Sequence, residues 1–234
     1  MTLFTAAGSA FASPVFFDGT FNNSDWSLAT ITNAGGAGSF VNAFQMPVGG
    51  NPNQYRIIRN SLSQSAPNSL VAGVHINVTA IYNPSISGVI SSIDYSEDSI
   101  NLLNQGGNGQ GSGLAIFQGG LFYIQRNPVL IMPYAGFSTW TANPAPGLVA
   151  SDLWEIDFVT GALNPFSNPD FSISGGPMNF GFWRGNSSGN QTSGVVQSEC
   201  GIDNWRVEIN PVPTPGAATL LGLGGLMAAR RRRS

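Results

Sequence analysis

Two carboxylates two residues apart, in Leu153-Trp154-Glu155-Ile156-Asp157-Phe158-Val159-Thr160, come nearest to a catalytic pattern in this chain. Successive side chains of a strand point to opposite faces. Glu155 and Asp157 would therefore project together, with Trp154, Ile156 and Phe158 on the other side. Retaining glycoside hydrolysis uses two carboxyls roughly 5–5.5 Å apart, one as nucleophile and one as acid/base. An ordinary strand with its acids outward gives the same alternation.

The stretch resembles the E-[IL]-D-x-x-E strand of the laminarinase-like glycoside hydrolases, a jelly-roll family. That resemblance implies a sugar cleft faced by Glu155 and Asp157. The third acid of the pattern is Thr160 here, and a threonine hydroxyl does not ionise in the range needed to protonate a leaving group. The expectation is a body without catalysis, with a hydrolase or lyase built on Glu155 and Asp157 as the alternative.

Other residues point to binding. Trp140 lies in the polar stretch Ser138-Thr139-Trp140-Thr141, and Trp183 precedes Arg184-Gly185-Asn186. Aromatic faces beside Asn and Arg suit stacking on sugar rings, which makes Trp140, Trp183, Arg184 and Asn186 the candidate glycan contacts. Trp26, Trp154 and Trp205 sit in apolar alternation and read as core. Asp94-Tyr95-Ser96-Glu97-Asp98 and Asp203 offer the hard oxygen donors that calcium takes. Gly201-Ile202-Asp203-Asn204-Trp205-Arg206-Val207 is similar to the last strand of jelly-roll carbohydrate-binding modules. The resemblance implies a structural calcium on Asp203 with Asp18 or Asp25. The other reading is that Asp203 caps a turn through its own backbone.

Several chemistries are excluded by composition. The chain has no lysine, one histidine and one cysteine. A Walker-type phosphate loop, a Schiff base and a Cys/His zinc site are therefore absent, and a serine triad would have to use His75. Cys200 has no partner for an intrachain disulfide and reads as a small buried thiol. Four of the nine cations are Arg230, Arg231, Arg232 and Arg233, which leaves five arginines against twelve acids elsewhere. So acidic a body excludes a nucleic-acid partner that needs a basic patch.

The elements that must position these residues read as strands. Charged residues are 9% of the chain, hydrophobic residues 42% and aromatic residues 11%, with 30 Gly and 15 Pro. That composition buries a core while leaving long polar turns. Period-two runs occur at 15–17, 28–31, 40–44, 55–58, 74–81, 88–95, 114–117, 121–125, 154–159, 180–183 and 202–209. Asn-Pro pairs at 51, 83, 127, 143, 164 and 168 separate them as turns. In the clearest run, Val74, Ile76, Val78 and Ala80 are expected to face the core and His75 to be solvated with Asn77 and Thr79. Asn104 to Gly113 reads as a long hairpin loop. Many short strands with such turns give an all-β fold, an antiparallel β-sandwich of jelly-roll type over residues 13–211, followed by a short C-terminal hydrophobic helix.

Both ends read as targeting segments. Residues 1–12 end in Ala10-Phe11-Ala12, a small-x-small pattern read as the remnant of a secretory signal cleaved before Ser13. At the other end, Val212-Pro213-Thr214-Pro215-Gly216 precedes an apolar run from Ala217 to Ala229 and the four arginines. This order is similar to the PEP-CTERM family of bacterial sorting signals, with Thr214 in place of the usual glutamate. The resemblance implies export, transient membrane insertion of the tail and processing by an exosortase near Pro213, Thr214, Pro215 and Gly216. Thirteen residues rise about 20 Å as a helix, short of the roughly 30 Å hydrocarbon core. The tail therefore suits a temporary stop better than a permanent anchor. The overall expectation is an exported cell-surface or extracellular-matrix protein that binds glycans or matrix components, the third possibility being a purely structural matrix protein.

Overall fold

Val, Ile, Thr and aromatic residues dominate the runs between turns, and such side chains fit a pleated, half-buried surface better than a helix. A computed structural model describes residues 13–33, 38–63, 68–106, 109–132, 136–189 and 193–212. The strands are β1 (Val15–Asp18), β2 (Trp26–Asn33), β3 (Phe40–Gly50), β4 (Asn53–Ser63), β5 (Leu70–Tyr82), β6 (Ile90–Gln105) and β7 (Gln110–Gln118). They continue as β8 (Leu121–Gln125), β9 (Val129–Ile131), β10 (Thr141–Leu148), β11 (Leu153–Ile156), β12 (Leu163–Asn164), β13 (Met178–Ser187) and β14 (Val195–Pro211). One helical turn, α1 (Pro84–Ser87), is started by Asn83, whose side chain accepts from the Ser85 N–H. Among the described residues no helix is long and apolar enough to cross a membrane. The expected signal remnant and the sorting tail lie outside the described residues.

Two antiparallel sheets face each other. Sheet A has six strands in the order β10-β6-β14-β4-β3, with β1 also on β14. Sheet B has eight, β12-β11-β8-β7-β13-β5-β2, with β9 also on β7. The long strand β14 is the spine of sheet A. Its first half pairs with β4 (Val195↔Ser63 to Ile202↔Arg56) and its second half with β1 (Asp18↔Trp205 to Val15↔Glu208). Along nearly its whole length it also pairs with β6. At the corresponding handover on β7, between β9 and β8, the Gln125 side chain accepts from the Leu114 N–H at 3.2 Å and supplies a missing ladder bond.

One half of the interior is apolar and aromatic. Trp26 packs against Phe21, Phe182 and Trp205 with ring centroids 5.4, 5.2 and 5.1 Å apart. The other half is polar. Arg184 on β13 and Glu97 on β6, both fully buried, form an ion pair of 2.9 Å between the sheets. Glu97 Oε1 also accepts from Ser99 Oγ (2.6 Å), Ser112 Oγ (2.8 Å) and Asn143 Nδ2 (3.2 Å), and Oε2 from the Tyr95 hydroxyl. Nearby, Asn60 donates to Asn186 across the sheets at 2.7 Å, and Gln110 donates to the carbonyls of Ile58 and Ser198.

His75 belongs to this interior, which corrects the expectation of a solvated side chain. It is fully buried and stacks on Phe182 at 4.5 Å. Val74 and Ile76 instead face outward from sheet B, where they pack with Ile31, Ala115, Ile124 and Ile156 in a second apolar layer. That layer is roofed by the hairpin after β11. Asn33 Nδ2 donates to the Thr160 carbonyl, and a Cβ on Gly161 would come within 2.6 Å of Leu70. Because both faces of β5 are covered, alternation does not say which face is the inner one. The expected inward Val78 is half exposed because β5 bulges. Asn77 Oδ1 accepts from the Thr79 and Ala80 N–H groups, and the register to β13 shifts between Asn179 and Gly181. After the bulge Ala80 and Tyr82 face the core.

Three further expectations change. Much of Asn104 to Gly113 is strand, with Gly111 and Gly113 lying beneath the Trp183 ring where a Cβ would come within 3.1 Å of it. Asn143-Pro144 is within β10 rather than a turn, because β10 is an edge strand and tolerates proline. The run 154–159 stops being strand at Ile156.

Two tests follow from the buried charges. Glu97→Ala would leave Arg184 charged and unpaired in the interior and should cost about 3–5 kcal/mol in urea unfolding. His75 is held well below the usual imidazole range by burial and then by Arg56 and Arg184, so it is neutral in the folded protein. Below about pH 6.5 the unfolded chain binds a proton that the folded one does not, and stability falls by up to about 1.4 kcal/mol per pH unit. His75→Leu should remove that component from the urea midpoints measured between pH 7 and 5.

Candidate functional site

The outer face of sheet A gathers aromatic and charged groups from β3, β4 and β14. In register are Phe44 with Ile57, Met46 with Tyr55, Asn42 with Arg59, and Arg59 with Glu199. Arg59 Nε lies 2.9 Å from Glu199 Oε1, and its guanidinium sits over the Phe44 ring at 5.1 Å. Both charged side chains are partly exposed, at 41% and 28%. They therefore remain available to solvent or a ligand. Beside them the Trp140 indole packs edge-on against Tyr55, with ring centroids 5.3 Å apart, and donates through Nε1 to the Gly49 carbonyl at 2.9 Å. The Tyr55 hydroxyl is raised above its usual range by burial, with Arg59 opposing and Glu199 adding to the shift.

Gly201 makes room for that ring. A Cβ there would come within 2.7 Å of the Trp140 ring, 2.8 Å of Ile100 and 3.1 Å of Tyr55. The result is a half-buried indole fixed at two points, next to an ion pair with spare hydrogen-bonding capacity. Aromatic stacking and forked polar contacts are the two things a hydroxylated ring offers partners for.

The four residues expected to contact glycan are not together. Trp140 is on sheet A as described. Trp183 is half-buried on the outer face of sheet B, laid across Gly111, Gly113 and Gly185. Arg184 and Asn186, at 0% and 4% exposure, point inward and serve the polar interior, which corrects their reading as surface groups. They alternate with Trp183 on one strand, so an outward Trp183 requires both to face in. Tyr55, Arg59 and Glu199 were not singled out by sequence. The signal available was the i, i+2, i+4 spacing of Tyr55, Ile57 and Arg59, but only register brings Glu199 and Trp140 to it.

The carboxylates divide in the same way. Asp18 Oδ1 accepts from the Thr20 and Phe21 N–H groups and Oδ2 from the Trp26 indole at 2.8 Å. Asp203 is buried and accepts from the N–H groups of Asn204 and Asn51. Burial pushes its carboxyl up, those two N–H groups pull it down, and Asp98 and Asp18 add to the upward shift. Asp25 sits on a short surface turn with Asn22 and Ser24. Among the described residues no group of three or more His, Cys, Asp or Glu is placed to hold a metal. Asp157 opens the β11–β12 hairpin, where its Oδ1 accepts from the N–H groups of Val159 (2.7 Å) and Thr160 (3.3 Å). The Val159 N–H first, then the Thr160 side chain and N–H, hold its carboxyl below the usual range. Thr160 is in the turn itself, so this segment does not present three groups along one strand. Cys200 is fully buried and its thiol is pushed up to about 11 by burial.

No protein-family model matches the chain. No curated protein matches it either. Among solved structures it is similar to the CBM22-1 xylan-binding domain of Paenibacillus barcinonensis Xyn10C, with 7% identity, 88% of this chain and 100% of that one covered, and a TM-score of 0.38. An exo-β-agarase is 12% identical over 85% of this chain and 26% of its own, with a TM-score of 0.36. The CBM22-1-GH10 modules of Clostridium thermocellum Xyn10B are 9% identical over 87% of this chain and 29% of theirs, with a TM-score of 0.27. At these scores the function rests on the residues themselves.

Replacing Gly201 by alanine should push the Trp140 ring off Tyr55 and cost about 1–3 kcal/mol by overpacking. A red shift of tryptophan emission with a lowered urea midpoint would register it.

Proposed function

We propose that the sandwich is a non-catalytic glycan-binding domain and that its binding surface is the outer face of sheet A. The observation that carries this reading is the Trp140 indole, held over Gly201 and against Tyr55 beside the half-exposed Arg59–Glu199 pair. The indole supplies a flat apolar surface for a sugar ring. Arg59 and Glu199 supply donors and acceptors at its edge. Asp157 is committed to its turn and the third position of the hydrolase-like pattern is Thr160, so the segment lacks that pattern's third carboxyl.

The acidic body favours neutral polysaccharides over polyanionic ones, since like charges repel on approach. The setting we propose is extracellular: a cell-surface or matrix protein exported through its N-terminal segment and delivered by its tail to an exosortase. The Pro-x-Pro order, the apolar run and the closing arginines support that part of the reading.

Binding should be measured by titration with soluble neutral oligosaccharides of several linkages, and by pull-down on insoluble polysaccharides. Trp140→Ala and Arg59→Ala should each weaken binding by about tenfold, the loss expected for a stacking or charge-assisted contact of roughly 1.4 kcal/mol. Reducing-sugar release should stay at background. Turnover that disappears in Glu155→Gln would reverse the assignment.

A further inference from the structure

The Trp140 indole leans on a hairpin. Its N–H donates to the carbonyl of Gly49, which lies where β3 turns into β4. The turn, residues 49–53, has no charged and no buried side chain of its own to fix it. Gly49 (φ 94°) and Asn53 (φ 69°) also hold a left-handed backbone, which a loop keeps only with support from its surroundings.

That support comes from β6 and β14. Two carboxylates, Asp98 and Asp203, stand in register across these strands. Asp203 accepts the Asn51 N–H on Oδ2 and the Asn204 N–H, at 2.7 Å, on Oδ1. Asp98 Oδ2 accepts from two side-chain amides, Asn51 Nδ2 at 3.0 Å and Asn204 Nδ2 at 2.7 Å. Asn204 Nδ2 also reaches the Asn51 carbonyl at 2.6 Å. Asn51 is thus gripped at its N–H, its carbonyl and its side chain, each time from another strand. The fit is close, since a Cβ on Gly50 would come within 2.7 Å of Asp203 Oδ2. Asn204 sits in the β14 bulge at φ 48°, and the bulge re-aims its side chain at the hairpin. Asp98 has a second connection: its backbone pairs with Ala142 of β10, two residues beyond Trp140. One residue of β6 therefore sets both the strand that carries the indole and the hairpin that receives its N–H.

We infer that Asp98, Asn204, Asn51 and Asp203 form a clasp that positions Trp140, acting through the Gly49 carbonyl rather than by contact with a sugar. What the indole binds rests on the glycan reading above; how it is held does not. A ring fixed before the ligand arrives loses less freedom on binding. Opening the clasp therefore weakens binding while every contact group is still present.

The test follows the indole N–H signals of the nitrogen-labelled full chain by NMR. The chain has five tryptophans, and the Trp140 signal is the one missing from Trp140→Phe. Asn204→Gly keeps the left-handed backbone and removes both side-chain amide bonds; Asp98→Ala removes their common acceptor. In each variant the Trp140 signal should move and exchange faster with solvent, while those of Trp154 and Trp183 on sheet B stay in place. Affinity for the neutral oligosaccharide that binds the parent best should fall about fivefold. Asp98→Asn, whose amide oxygen still accepts, should keep the parent signal and affinity. An unmoved Trp140 signal in Asn204→Gly and Asp98→Ala would overturn the clasp, and so would equal shifts of all the indole signals. A moved signal with parent affinity, where Trp140→Ala does weaken binding, would overturn it as well. No binding by any neutral oligosaccharide, or parent-like binding by Trp140→Ala, would sink the glycan reading instead, and the indole signal would still decide the clasp.

Discussion

The Arg184–Glu97 pair is the constraint on which the rest of the sandwich depends. A carboxylate removed from water is stable only when its oxygens find enough partners. Glu97 finds them on both sheets: Tyr95, Ser99 and Asn143 on one, and Ser112 and Arg184 on the other. Sliding one sheet past the other would strand those charges, so the network fixes alignment in a way that interchangeable apolar contacts would not.

The polar interior also shapes the exterior. With His75, Arg184 and Asn186 turned inward, their strand neighbours Val74, Ile76 and Trp183 must face out. Sheet B therefore carries an apolar outer surface, and the 157–162 hairpin folds across part of it. The bend that provides this cover also takes Asp157 and Thr160 off the β11 strand. On sheet A the outer face holds the partly exposed aromatic and charged groups.

The all-β class and most strand positions were legible because turns are marked locally. Leu121 to Gln125 is bounded by Gly119-Gly120 and Asn127-Pro128, and the observed strand has the same limits. Leu114 to Phe117 was found but cut short, since Gly111 and Gly113 read as loop when their lack of side chains in fact serves Trp183. β10 was missed because its prolines mark a turn unless the strand is known to be an edge. The orientation of β5 was not legible, because a period of two gives the same pattern for either choice of inner face. Trp140 stood out by its polar neighbours. Arg59 and Glu199 did not, as 140 residues of sequence separate two side chains that register places 2.9 Å apart.

The layout of β14 has a mechanical side. This strand ends at Pro211 and is hydrogen-bonded along both edges, to β6 on one side and to β4 and then β1 on the other. Tension applied through residue 212 along the strand axis would load those ladders in shear, with many bonds sharing the force at once. A hairpin at the same position would unzip one bond at a time. Force applied at that end would therefore be resisted through the longest strand.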